Sequence, residues 1–163
     1  FGGDSDGTGA DLGACRELTG LQLSFDECEG TVLVDTPWGR CGNTDVQASA
    51  PLWYCADPDA EVLGRLQANG QPGLVRKRLD GRVSVYSSAP VTDHNVLREL
   101  ARAAGVHIHC DSGDAFYLDN RYFSIHAGQA GDREVGFTRP VTVEDLWTGN
   151  VLCEGQTSLR LQL

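Results

Sequence analysis

The chain has 163 residues, 40% of them hydrophobic, with a formal net charge of −10 at pH 7 and a mean hydropathy of −0.26. These values are typical of a globular domain, and no apolar run is long enough to predict a membrane-spanning helix. The acidic excess disfavours nucleic acids and anionic membranes as partners, because few cations are present to neutralise phosphates.

The first third of the chain predicts one short helix and two strands. Residues 1–11 are rich in Gly and Asp and predict a loop. Apolar side chains then recur three apart from Leu12 to Leu18, which predicts a helix that Gly20 ends. The stretch LQLSFDECEGTVLVD predicts a strand, a turn at Glu29-Gly30 and a second strand, and TPWGRCGNTD predicts a loop.

The middle of the chain predicts a strand, a helix, a hairpin and a further helix. After the apolar run SAPLWYC, Asp57 and Pro58 predict the start of a helix that buries Val62, Leu63 and Leu66. Asp80-Gly81 lies between β-rich arms and predicts a two-residue hairpin turn. VTDHNVLRELARAAG predicts a helix with Thr92 or Asp93 as its cap and Gly105 as its end.

The last third predicts strands and turns only. GVHIHC predicts a strand in which His107 and His109 share one face. Two short strands then flank a turn at Asp119-Asn120, and Pro140 is acceptable only at a sheet edge or at the end of a strand. The change of pattern divides the chain into residues 1–110, where helices alternate with strands, and residues 111–163, a small antiparallel β region.

Several phrases resemble the C-terminal region of large bacterial proteins related to glycoside hydrolases. They are ADLGACRELTG, DPDAEVLGRL, GLVRKRLDGRVSVYSSAP, LRELARAAGVHIHCDSGD, YLDNRYFSIHAG and VEDLWTGNVL, between about Gly9 and Leu152. In those proteins a catalytic (β/α)-barrel is followed by a class I glutamine-amidotransferase-like domain, called the β-galactosidase trimerisation domain, and by a β-rich tail.

The resemblance implies an α/β, flavodoxin-like fold with a parallel sheet, of which this chain would hold the later half. A single α+β domain is the alternative. The family's early units would precede Phe1, and the absence of methionine independently leads us to expect an excised or processed piece of a longer polypeptide. The resemblance also argues against catalysis, since Cys55 precedes Ala56-Asp57-Pro58 rather than lying on a nucleophile elbow.

The candidate metal ligands are His107 and His109, because two imidazoles on one strand face can meet a single ion. Asp111, Asp114, His94 or His126 would have to supply a third ligand, and the spacing does not show that these residues converge. The alternative is a strand with a polar outward face. We therefore predict no catalytic, cofactor-binding or metal site, and we keep His107, His109 and Asp111 as the alternative metal site.

The tryptophans are the remaining candidate contact residues. Trp38 lies in a loop and is the candidate for contact with a sugar or a partner, whereas Trp53 is expected in the core and Trp147 is expected to anchor the β tail. None of the six cysteines forms a C-x-x-C pair, so their disulfide pattern stays open.

These observations predict a non-catalytic accessory or assembly region of a glycoside-hydrolase-like protein. Its partners would be the parent catalytic domain, subunits of a homo-oligomer, or both. A carbohydrate-binding module and a metal-dependent enzyme are the alternatives, and the compartment stays open, with the cytoplasm favoured.

Overall fold

The computed structural model describes residues 11–43 and 48–163, and the chain divides into two compact units, Phe1–Glu99 and Leu100–Leu163. The elements in chain order are α1 (Leu12–Thr19), β1 (Leu23–Asp26), β2 (Val34–Thr36), β3 (Gly39–Cys41), β4 (Leu52–Cys55), β5 (Glu61–Leu66), β6 (Pro72–Leu79), β7 (Arg82–Ser87), α2 (His94–Ala103), β8 (Ala115–Leu118), β9 (Phe123–His126), β10 (Asp132–Glu144) and β11 (Val151–Gln162). Neither helix in these ranges has the length and apolar character needed to cross a bilayer.

The predicted α/β flavodoxin-like fold is wrong. The structure is 47% strand and 12% helix, and every strand pairing among the described residues is antiparallel. The alternative of a single α+β domain does not fit either, because the chain is mostly β and forms two units. The boundary between the units lies inside α2, eleven residues before the predicted division at residue 110.

The predicted helix after Asp57 is the strand β5, which explains much of the error. Asp57 and Pro58 begin a turn instead of a helix: the Asp57 carboxylate accepts hydrogen bonds from the backbone N–H groups of Asp59 at 3.0 Å and Gln22 at 3.1 Å. β5 then pairs with β2 on one side and β6 on the other. An Asp-Pro pair is common both in turns and at the starts of helices. Here the pairing of β5 with distant strands determines that a turn and a strand are formed.

A five-stranded antiparallel sheet with the order β3-β2-β5-β6-β7 forms most of the first unit. Two glycines allow its backbones to approach closely. A Cβ atom on Gly64 would lie 2.8 Å from the Asp35 carbonyl oxygen, and one on Gly73 would lie 2.7 Å from a methyl group of Val34. The sheet therefore requires the smallest side chain at both positions.

The core of the first unit contains Leu21, Cys55 and Val75, which are almost fully buried and pack against Leu23, Ala60 and Tyr86. Cys55 comes from β4, which pairs with β1 over four residues. The two strands predicted for LQLSFDECEGTVLVD are present as β1 and β2, but they belong to different sheets, and Gly30 bridges to Ser49 where a turn was predicted. The loop predicted for TPWGRCGNTD is also wrong in part, because β2 and β3 form a hairpin around Pro37 and Trp38.

Other local predictions for the first unit are confirmed. Helix α1 ends at Gly20, whose φ of 70° is left-handed, and Asp93 caps α2 by accepting hydrogen bonds from the backbone N–H groups of Asn95 and Val96. The Asp80-Gly81 turn joins β6 to β7. The loop predicted for residues 1–11 lies outside the described residues except for Asp11, which caps α1.

The second unit consists of two separate β-hairpins, β8–β9 and β10–β11. The predicted short strands around Asp119-Asn120 are confirmed as β8 and β9. The β10–β11 hairpin is long and irregular, because residues 137–140 of β10 lie opposite Thr157 alone. Pro140 lies in this irregular stretch, at the edge position that the sequence required.

Candidate functional site

The stretch GVHIHC does not form the predicted strand. Residues 106–109 have no regular strand pairing in the described part of the chain, and Cys110 makes one isolated antiparallel bridge with Val135. The Gly136 backbone N–H also donates a hydrogen bond of 2.7 Å to the His109 carbonyl oxygen. The stretch is thus attached to β10 at one point rather than along its length.

The two imidazoles do lie together. Their ring centres are 4.5 Å apart in an edge-on arrangement. His109 Nδ1 lies 2.7 Å from the Gly136 carbonyl oxygen, and because that oxygen can only accept, Nδ1 carries the hydrogen. The backbone therefore fixes the orientation of the His109 ring, while the His107 side chain is exposed.

The residues that could have supplied a third ligand do not join the histidines. Asp111 forms an ion pair with Arg102, and Asp114 forms one with Arg133. His126 ends β9 opposite Ala115, and His94 begins α2 in the first unit. Across residues 11–43 and 48–163, no three His, Cys, Asp or Glu side chains are close enough to hold a metal ion. The geometry does not favour the alternative metal site.

Asp114 is the centre of a polar tie within the second unit. Its carboxylate accepts hydrogen bonds from the Arg133 guanidinium, the Ser112 hydroxyl at 2.6 Å and the Gly128 backbone N–H at 3.1 Å. Arg133 also donates to the Gln129 carbonyl oxygen. The Arg133 guanidinium, followed by the Ser112 hydroxyl, holds the pKa of Asp114 far below the ordinary carboxyl range. This tie joins two loops and explains Asp114 as a structural residue.

Aromatic rings pack in series next to this tie. His109 stacks on Phe116 with ring centres 6.1 Å apart, Phe116 lies 5.8 Å from Phe123, and Phe123 lies 6.0 Å from Phe137. All four side chains are half-buried. His109 is therefore explained as a member of the small core of the second unit.

Several large apolar side chains are exposed at the end of the β10–β11 hairpin. We call residues 145–152 the hairpin end. Trp147 is 92% exposed and Leu146 is 71% exposed, and the following strand begins with the exposed side chains of Val151 and Leu152. The prediction that Trp147 anchors the β tail is wrong.

The backbone of the hairpin end is tightly bonded. The Asp145 carboxylate accepts hydrogen bonds of 2.8 Å from the backbone N–H groups of both Trp147 and Thr148. These two bonds lower the pKa of Asp145. Backbone hydrogen bonds of 2.8 Å also join Asp145 to Gly149 and Asn150, and Gly149 adopts the left-handed φ of 69° that the turn needs. These hydrogen bonds fix the backbone that carries Trp147.

The other two tryptophans lie in the first unit. Trp38 is half-exposed in the β2–β3 turn, where its backbone N–H donates to Thr36 Oγ1 at 3.2 Å. Trp53 in β4 is also half-buried and packs on Phe25, with ring centres 5.1 Å apart. Trp38 thus stays a candidate contact residue, but it offers much less surface than Trp147.

All six cysteines lie within the described residues, and they form no disulfide there. Cys41 and Cys55 are buried, and burial raises the pKa of both thiols, so they carry little thiolate at neutral pH. Cys110 is half-buried and lies 3.2 Å from the Ser112 hydroxyl. The raised pKa of the buried thiols does not favour Cys41 or Cys55 as a nucleophile.

Comparisons with family models, curated proteins and solved structures find no significant match to this chain. The function therefore has to be argued from the geometry of the chain itself. The sequence did carry a signal for the hairpin end. In DLWTGN, Asp precedes Trp by two positions and Gly follows two positions later, which is the pattern of an Asx turn that exposes the residues between them.

Proposed function

We propose that the chain is a non-catalytic assembly module that binds a partner protein through the hairpin end. The exposure of Trp147 on a hydrogen-bonded turn is the observation that carries this proposal. A large aromatic side chain on an ordered turn loses little conformational entropy on binding, and exposed tryptophans are frequent anchors of protein interfaces.

The surroundings of Trp147 favour a protein as the partner. Its neighbours at the hairpin end include the apolar side chains of Leu146, Val151 and Leu152, and the Asp145 carboxylate is occupied by the turn. A sugar site needs free polar groups beside the aromatic ring to orient hydroxyls, so this environment suits a sugar poorly. The net charge of −10 and the flanking Glu144 and Glu154 disfavour an anionic membrane.

The proposal also concerns the kind of larger protein to which this chain would belong. The phrases shared with glycoside-hydrolase-like proteins favour a role beside a catalytic domain or a sister subunit, but the flavodoxin-like fold expected from them is excluded. The proposed contact through the hairpin end needs neither a parallel sheet nor a catalytic residue in this chain.

Site-specific photocrosslinking tests the proposal. A photoreactive benzoylphenylalanine at position 147 is used to identify a partner in an extract of the source organism, and the purified partner is then titrated by calorimetry. We expect Trp147→Ala to weaken the Kd by about 30-fold, the value of an interface anchor worth about 2 kcal/mol. Tyr117→Ala is the matched control, since Tyr117 is a 67% exposed aromatic residue of the same unit.

Equal affinity of the wild-type chain and Trp147→Ala would contradict the proposal. A glycan array provides the competing test, because sugar binding that is lost in Trp38→Ala would favour the carbohydrate-binding alternative instead. Stoichiometric zinc in the purified chain, lost in a His107→Ala variant, would favour the metal-dependent alternative.

A further inference from the structure

The β6–β7 hairpin of the first unit has an exposed face that combines apolar and basic side chains. Val83 and Val85 of β7 are 48% and 47% exposed, and the residues opposite them on β6 are Arg78 and Arg76. Directly opposite residues of an antiparallel pair lie on the same face of the sheet, so these four side chains share one surface. We call this surface the β7 face.

One cation of the β7 face is available to a partner. Arg76 and Lys77 of β6 form ion pairs of 2.7 Å with Glu61 and Asp57. The exposed Arg78 side chain, in contrast, has no hydrogen bond or ion pair with any residue that the structure describes. Arg78 is therefore the group through which the β7 face can bind an acidic partner.

The hairpin end has the complementary composition. Residues 144–154 contain three acidic residues and no basic one. The Asp145 carboxylate is occupied by the turn, but the exposed Glu144 and Glu154 carboxylates have no hydrogen-bond or ion-pair partner within residues 11–43 and 48–163. Glu144 lies against the turn, since its Oε1 atom is 3.7 Å from the position of a Cβ atom on Gly149. Free carboxylates thus accompany the exposed apolar side chains of the hairpin end.

The charges determine which surfaces of two copies are complementary. Two hairpin ends in contact would bring the carboxylates of both copies together, and two β7 faces in contact would bring Arg78 close to its own equivalent. A hairpin end in contact with a β7 face pairs carboxylates with Arg78 instead, and it covers Trp147 with exposed valines. The favoured contact therefore joins different surfaces of the two copies.

We propose that the partner of the hairpin end is a second copy of this chain, which receives Trp147 on its β7 face. The inference rests on the proposed function, because it assigns a partner to the same hairpin end. The contact is heterologous, so each copy keeps one surface free for a further copy.

Sedimentation velocity of the full 163-residue chain measures this self-association over concentrations between about 1 and 500 μM. We expect species larger than a dimer to form as the concentration rises. Trp147→Ala and Arg78→Glu should each weaken the association by about tenfold or more, because one removes the anchor and the other reverses the charge that receives it. Arg121→Glu is the matched control, since Arg121 is an exposed arginine of the β8–β9 turn. Urea titrations confirm that each variant is folded.

Mixing the two defective variants is the sharper test. Trp147→Ala keeps an intact β7 face, and Arg78→Glu keeps an intact hairpin end. An equimolar mixture should therefore form a one-to-one dimer and nothing larger, although neither variant associates alone. Combining Glu144→Arg with Arg78→Glu in one chain should restore part of the self-association, because the opposite charges again meet between copies.

A wild-type chain that stays monomeric over the whole concentration range would overturn the inference. Binding of a different protein through Trp147 would in that case still support the proposed function. Self-association that persists unchanged in Trp147→Ala would also overturn the inference, as would folded variants that form no mixed dimer.

Discussion

The two units of this chain are stabilised in different ways. Among the described residues, twelve buried hydrophobic side chains belong to the first unit, and only Val135 and Leu159 belong to the second. The first unit has a five-stranded sheet and most of the buried side chains, whereas the second has two hairpins joined by the Asp114–Arg133 tie and a row of half-buried rings.

The difference shows how folding and binding are divided between the units. A well-buried core stabilises a domain largely independently of pH, while hairpins with little core depend on hydrogen bonds, ion pairs or added partners. The second unit exposes many large apolar side chains, and Trp147 and Leu146 of the hairpin end are the most exposed of them. The unit with the smaller core therefore carries the surface proposed for binding a partner protein.

Removing a core side chain from the first unit should have the largest effect. Leu74 in β6 is fully buried, so Leu74→Ala should lower the free energy of unfolding of this unit by about 2–5 kcal/mol. A urea titration monitored by the fluorescence of Trp53 measures this change in the free energy of unfolding. The control is Val85→Thr, at a 47% exposed position of the neighbouring strand, which should change the free energy of unfolding by less than about 0.5 kcal/mol. A single transition shared by amides of both units would contradict their separation.

Adding a methyl group at the centre of the sheet should have the next largest effect. In Gly64→Ala the new Cβ would lie 2.8 Å from a backbone oxygen, so β2 and β5 must separate, at a cost of about 1–3 kcal/mol. Gly128→Ala is the control, because a Cβ there meets no atom within 4 Å. Urea titrations of the two variants measure the difference, and equal stabilities would show that the sheet is not closely packed at Gly64.

We expect the two units to differ in their stability toward acid. The pKa of Asp114 is lowered in the folded chain, so its stabilising effect is present above the ordinary carboxyl pKa of about 4 and is lost as the pH falls through that value toward the folded pKa. Amide exchange measured between pH 6 and pH 2.5 should show the second unit opening first. Asp114→Asn should reduce this pH dependence, and an unchanged dependence would assign it to other carboxylates.

Removing the exposed tryptophan should have the smallest effect on folding. Because Trp147 is 92% exposed, Trp147→Ala should change the stability of the second unit by less than about 0.5 kcal/mol. Thermal unfolding followed by amide signals of Val135 and Leu159 measures it. A large loss of stability would mean that Trp147 serves the fold, and the proposed contact role would then lose its basis.

The sequence by itself determined the local features of this protein. The end of α1 at Gly20, the cap of α2 at Asp93 and the turn at Asp80-Gly81 each depend on residues within a few positions of one another, so their chemistry can be read directly. The sequence also predicted the strands around Asp119-Asn120 and the edge position of Pro140.

Only the tertiary structure decided which strands pair, and with that the fold class and the surroundings of each candidate residue. The Asp57-Pro58 start leads into a strand because β2 and β6 flank β5. Among the described residues no third ligand joins the two histidines, and Asp111 and Asp114 form ion pairs with arginines instead. The exposure of Trp147 follows from the pairing of β10 with β11. Partners distant in sequence set these outcomes, and local propensities differ by too little energy to determine them.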